Sequence, residues 1–183
     1  PVTTQPPSGP GVPATPVRIG RTHPRTGPAA PGYSEIAPAA KAYFDYVNAK
    51  GGVNGRKIVY TYLDDGYNPT TTAAQTRKLV LQDNVFAIFG ALGTPTHLAV
   101  VNYLNSEKVP DLFVASGCNC WNSVSQYPET FGWQPNYTIE GKIPRHYAAK
   151  NSPGKTTALF THGHHDDVRT HGPPDRPPPP PGR

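Results

Sequence analysis

Long apolar runs are missing from this 183-residue chain. No segment approaches the roughly 20 apolar residues that carry a helix across a membrane. Cysteine is scarce: Cys118 and Cys120 stand one residue apart, and two thiols are too few to hold a structural zinc by themselves. A bond between them needs a tight ring, and their Cβ atoms diverge if one extended strand carries both. Buried thiols, loop thiols and pairing with another chain all fit that spacing. Clustered positive charge is also absent. The net charge is +5, and the adjacent pairs Arg56-Lys57 and Arg77-Lys78 read as solvated surface, not as a nucleic-acid footprint. There is no Walker or dinucleotide fingerprint, since Gly51-Gly52-Val53-Asn54-Gly55 follows a helical pattern instead of a strand. Spacing sets out no Ser/His/Asp or Cys/His catalytic constellation. The chain opens at Pro1 with neither a methionine nor a secretory leader pattern, so a processed or partial product is expected.

Proline, by contrast, is plentiful. Of its 24 prolines, six crowd into Pro1–Pro16 and seven into Pro173–Arg183. Residues 1–16 therefore read as an extended, disordered linker and 161–183 as a disordered His- and Pro-rich tail. The middle, 17–160, has globular composition.

Within that middle the periodicities alternate. Val17-Arg18-Ile19-Gly20 is a short strand. Ile36, Ala39, Ala40, Tyr43, Phe44 and Val47 share one helical face, with Ser34 placed to cap the start and Gly51-Gly52 to stop the helix. Lys57–Asp65 alternates as a strand and ends in Asp64-Asp65-Gly66, where turn chemistry outweighs a ligand role. Asn68-Pro69 opens a second helix with Ala73, Val80 and Leu81 inward. Val85–Leu92 is a continuous apolar run and reads as a strand buried on both faces. Gly93-Thr94-Pro95 then gives a turn, a capping oxygen and a helix-starting proline, and Leu98, Val101 and Leu104 continue the inner side. Pro110–Ala115 is another buried strand, ending in Ser116 and Gly117. Phe131-Gly132-Trp133 is briefly extended. Asn136–Lys150 is a helix despite Pro144, and Lys155 begins a further strand. Strands alternating with helices give an α/β fold: a parallel β-sheet flanked by helices and joined by right-handed crossovers. Ligands in such sheets sit beyond the carboxyl ends of the strands, and amides at a helix start suit an anion.

The stretches GPAAPGYSEIAPAAKAYFDYVNAKGGVNGRKI, YLDDGYNP, the GTPT turn, VPDLFVASGCNCW and FGWQPNYTIEGKI together resemble one family. It is the extracellular substrate-binding proteins of ABC transporters for branched-chain amino acids and related solutes, in their actinobacterial form. The resemblance runs over about residues 12–159. It implies a type I periplasmic-binding fold of two α/β lobes, of which 17–160 is the N-terminal lobe with the start of the crossover to the second. It also implies a non-enzymatic binder with no cofactor, an amino acid or amide-like ligand, a transporter permease as partner, and a periplasmic or cell-surface location. In that family the first lobe holds the ligand's α-carboxylate and α-amino groups. The matching positions are Gly93 and Thr94 after the third strand, Ala115, Ser116, Gly117 and Cys118 after the fourth, and Tyr33 closing over the ligand. Arg25 stands where the family carries an apolar residue.

The tail departs from the family. Asp166-Asp167 is followed by Val168-Arg169-Thr170 where Phe-Gly is expected, and a one-base shift of codons for these residues restores Phe-Gly. A frameshift at or near Val168 is the expectation, and the coding DNA checks it. A competing reading takes His162-Gly163-His164-His165-Asp166-Asp167 as a partial HxHxDH motif of a zinc-dependent hydrolase. Its last histidine is replaced by Asp167.

Overall fold

The structure, a computed structural model, describes residues 16–156. The linker 1–15, most of the strand expected from Lys155, the His162–Asp167 cluster and the proline tail lie outside the described residues. The chain divides into two compact units. One comprises the residues up to Ser116 with Trp121–Trp133; the other comprises Gly117–Cys120 with the chain from Gln134.

Five parallel strands form the first unit: β1 Val17–His23, β2 Ile58–Asp64, β3 Ala87–Phe89, β4 Asp111–Val114 and β5 Thr130–Gly132. Their order is β2-β1-β3-β4-β5, the α/β arrangement expected from the alternating pattern. The chain steps outward from β1 to β2 and then crosses to β3, so the switch point lies between β1 and β3.

Register assigns the two faces of the sheet. Gly20, Ile88, Asp111 and Thr130 share one side. Over it lie α3 Pro69–Leu81, α4 Thr94–Leu98 and α5 Val101–Ser106, and the apolar cluster of Leu79, Val85, Ile88, Val100 and Leu104 forms the core. A Cβ at Gly20 would meet Leu79 at 3.1 Å, so this glycine lets α3 approach the sheet closely. The opposite side carries Tyr60 and Phe89, on which Phe44 of α2 Ile36–Ala49 packs edge-on.

Helix α2 forms where expected, but its buried face is rotated. Ala37 is fully covered, whereas Ile36 and Tyr43 are exposed. The Asn48 side chain explains the rotation, accepting from Ile58 N at 2.8 Å and donating to Ile58 O at 2.7 Å. That clamp turns α2 toward β2. Ser34 does not cap the helix, because its hydroxyl donates to Glu35 instead. In α3 the inner residues are Thr72, Thr76 and Leu79, and Leu81 is 67 % exposed. Asn68 sets that phase by accepting from the amides of Thr70 and Thr71.

The strands are shorter and less covered than the apolar runs imply. Phe86 is 38 % exposed and Phe113, at a left-handed φ of 60°, is 49 % exposed. The single helix expected after Thr94 is broken into α4 and α5 at Val100. Thr94 is not its cap either: Gly93 takes that place at φ 103° and offers no side chain.

In the second unit, α6 Tyr137–Asn151 starts at Asn136, whose side chain accepts from Ile139 N at 2.9 Å, and continues through Pro144. Cys118 and Cys120 are joined as a disulfide. The expectation against this pairing assumed an extended strand. Here β4 has already ended and residues 119–122 turn as a 3-10 helix, bringing the two Cα atoms to 5.2 Å. Among the described residues no helix is long and apolar enough to cross a membrane.

Candidate functional site

Two hydroxyls meet where β3 and β4 end. Thr94 Oγ1 and Ser116 Oγ are 2.7 Å apart, and both residues are buried. They arrive there because Leu92 and Ala115 extend the β3–β4 pairing by one bridge, with Gly93 N donating to Ala115 O at 3.3 Å. A hydroxyl pair can donate one proton outward while the other stays shared, which suits a carboxylate or a polar amide.

The donors differ from those expected. Ala115 N donates to Ala91 O at 2.8 Å and Ser116 N to Val114 O at 2.9 Å, so both amides are engaged inside the sheet. At this strand end hydroxyls, not main-chain amides, are the groups offered to a solute. Helix α4 is a single turn, and Thr96 Oγ1 donates back to Leu92 O at 2.6 Å.

Gly93 is required by its surroundings as well as by its φ of 103°. An added Cβ would lie 2.5 Å from the Tyr67 ring and 2.6 Å from Thr96 Oγ1. Tyr67 therefore belongs to this site, although sequence reading left it within turn chemistry. Asp65 holds it, accepting from Tyr67 N at 3.0 Å and from Thr72 Oγ1 at 3.0 Å. Burial raises the Asp65 pKa, against the pull of those two bonds.

Tyr33 ends the short turn α1 Ala30–Tyr33 and is 47 % exposed. The loop that carries it is braced by Asp64, which accepts from Arg25 N at 2.8 Å, Thr26 N at 3.2 Å, Thr26 Oγ1 at 2.7 Å and Gly66 N at 3.1 Å. Burial works to raise the Asp64 pKa, but these bonds outweigh it and hold the carboxyl at about 2. Both aspartates thus brace turns. Arg25 is exposed. At the end of β1, His23 is fully buried with its ring edge-on to Tyr62 at 5.5 Å. Burial first, then the positive charge of Arg21, lowers its pKa to about 4. Neither His23 nor Arg21 was singled out from sequence. A histidine and an arginine inside an otherwise small-residue strand were the available signal.

Gly117 and Cys118 fall in the second unit. Gly117 O accepts from Tyr137 N at 2.7 Å, and the Tyr137 ring occupies the place of a Gly117 Cβ, 2.6 Å away. Cys118 is tied in the disulfide and its sulfur accepts from Cys120 N at 3.3 Å, so it offers no thiol. Among the described residues no group of three or more His, Cys, Asp or Glu is placed to hold a metal ion.

The family model for periplasmic binding proteins matches residues 16–168. A Leu/Ile/Val-binding protein homolog 7 from Brucella suis is 28% identical over 135 residues, covering 69% of this chain and 34% of the relative. Its Brucella abortus counterpart is 30% identical over 94 residues, 51% of this chain and 23% of that one. The chain thus spans about a quarter to a third of the length of these curated relatives. Among solved structures, a fatty acid ABC transporter substrate-binding protein from Thermomonospora curvata superimposes with a TM-score of 0.69 at 26% identity, over 79% of this chain and 36% of that one. The branched-chain amino acid transporter substrate binding protein LivJ from Streptococcus pneumoniae, solved with isoleucine, gives 0.68 at 22% identity, over 75% and 39%. At that identity the likeness shows the fold alone. The family match runs through His162–Asp167, so the zinc-hydrolase reading gains no support.

Proposed function

The chain belongs to the periplasmic binding protein family, whose members bind solutes for transport and are not enzymes, and from that premise we propose that it is the first lobe of an ABC-transporter solute-binding protein. It captures an amino acid or a related carboxylate or amide in the periplasm or at the cell surface, and a permease receives the solute. The observation that carries this reading is the Thr94–Ser116 hydroxyl pair, 2.7 Å apart at adjacent strand ends beside the sheet's switch point. Tyr33 and Tyr67 flank it from the turns after β1 and β2, and Gly93 keeps the turn open. Ala115, Gly117 and Cys118 act as small walls and contribute no side-chain donors.

The second lobe closes over the solute by a hinge. Without that lobe the solute keeps one face in water, and affinity is weak. The tail 161–183 is an out-of-frame translation in this reading, which coding DNA with no second lobe in the shifted frame would rule out. We also read the chain as an actinobacterial member, on the VNAKGGVNGRKI motif.

The test is an NMR titration of the ¹⁵N-labelled chain with isoleucine, other amino acids and short amides. The expected result is weak, saturable shifts centred on Thr94 and Ser116, lost in T94A and S116A. Shifts that survive both substitutions, or zinc-dependent turnover of an ester or lactam, would overturn the assignment.

A further inference from the structure

We propose that the buried His97–Asp111 pair is a positioning tether for the binding hydroxyls and sets solute affinity without touching solute. This rests on the reading of Thr94 and Ser116 as ligand-binding residues. His97 stands one helical turn after Thr94 on α4, and Asp111 opens β4, the strand that leads to Ser116. Nε2 of His97 donates to Oδ2 of Asp111 over 2.5 Å, with the two side chains 1% and 0% exposed. The bridge therefore joins the two segments whose hydroxyls meet at 2.7 Å.

Little else fixes that geometry. α4 is a single turn, too short to hold its own direction, and its cap residue Gly93 has no side chain. Thr96 ties the turn back to Leu92 and Gly93 along the chain, and His97 ties it sideways to the sheet. Trp121 packs edge-on against the His97 ring at 4.9 Å and shields the pair from water. In such a dry setting a hydrogen bond to a carboxylate is strong and directional. An apolar pair of similar size would fill the space but leave the turn free to slide along β4.

The pair also carries unmet polar atoms, since His97 Nδ1 and Asp111 Oδ1 have no hydrogen-bond partner. Two apolar residues would avoid that cost, so the pair's use lies in the geometry it fixes.

Amide hydrogen exchange on the whole chain tests the tether without any solute. H97L is expected to speed exchange about tenfold, the equivalent of one lost hydrogen bond, at Gly93, His97 and Ala115, and to leave the β1–β2 amides as in wild type. H97Q, which keeps an N–H for Asp111, is expected to restore wild-type exchange. Unchanged exchange in H97L, equal acceleration at every amide, or no rescue by H97Q would each overturn the proposal. Isoleucine titration adds a second readout: H97L weakens the shifts at Thr94 and Ser116 by about tenfold and H97Q recovers them. If wild type gives no shifts there, the site reading fails, and the exchange pattern separately decides whether the tether exists.

Discussion

His23 is neutral at physiological pH because the fold leaves its proton nowhere favourable to sit. The ring is buried, Arg21 and Arg25 add positive charge, and Asp64, with its four hydrogen-bond donors, and the Tyr33 carbonyl offset this only in part. The ordinary histidine value is 6.5 and the folded value is about 4. Between these the unfolded chain binds the more protons, so acid favours unfolding. His23's contribution is complete above pH 6.5 and declines as pH falls toward about 4, by on the order of 2–3 kcal/mol. Asp64 acts lower. Its carboxylate stabilises the fold above its unfolded value of 3.8, and that stability is lost as pH falls toward about 2. Urea-unfolding midpoints followed by tryptophan fluorescence should therefore drop across the His23 window. H23Q should flatten that drop while leaving the decline in stronger acid. An H23Q profile as steep as wild type would place the titrating group elsewhere.

At the scale of elements, the turn after β3 depends on Gly93. G93A places a methyl 2.5 Å from the Tyr67 ring at a φ of 103°, so both sterics and backbone oppose it. The expected loss is about 3 kcal/mol, read as a lower urea midpoint at constant slope. A midpoint within experimental error of wild type would mean that Tyr67 swings away at little cost. This turn also shows how far local pattern reaches. The GTP triplet announced a turn and a helix start, and both are present. Tyr67 is separated from Gly93 by the whole of α3 and β3, and no periodicity reports that contact. The same distinction runs through the other elements. Helix α2 is legible from its 3.6-residue repeat, but its rotation follows from the Asn48 clamp on Ile58, a side-chain bond between elements. The run Val85–Leu92 marks a strand, while the exposure of Phe86 and Phe113 depends on which faces other helices reach. The Cys118–Cys120 bond hinges on where β4 stops. His97 and Asp111 gave no signal, because a pair made across a sheet has no fixed spacing.

For the molecule as a whole, the two faces of the sheet are unequally covered. α3, α4 and α5 close one side, whereas on the other α2 reaches Tyr60 and Phe89 and leaves Phe113 and Phe131 each 49 % exposed. Leu112 and Phe131 are register partners on that side, and Phe113 packs edge-on to Phe89 at 5.7 Å, so the exposed rings adjoin in one patch over β3, β4 and β5. Patches of this kind mark a surface that another segment or chain covers. The curated relatives are about three times the matched length or more, which leaves ample chain to do so in a longer protein. The present chain should accordingly bind the dye 1-anilinonaphthalene-8-sulfonate strongly, and F113S/F131S should remove most of that fluorescence. A chain extended by the shifted-frame sequence should lose the dye signal without any substitution and gain solute affinity at the same time. Dye bound equally by the extended chain, with no gain in affinity, would show that the added sequence neither covers this face nor closes over the hydroxyl pair. Covering the face and closing the site are then one event: the segment that buries Phe113 and Phe131 also stiffens β4, whose end presents Ser116 to the solute.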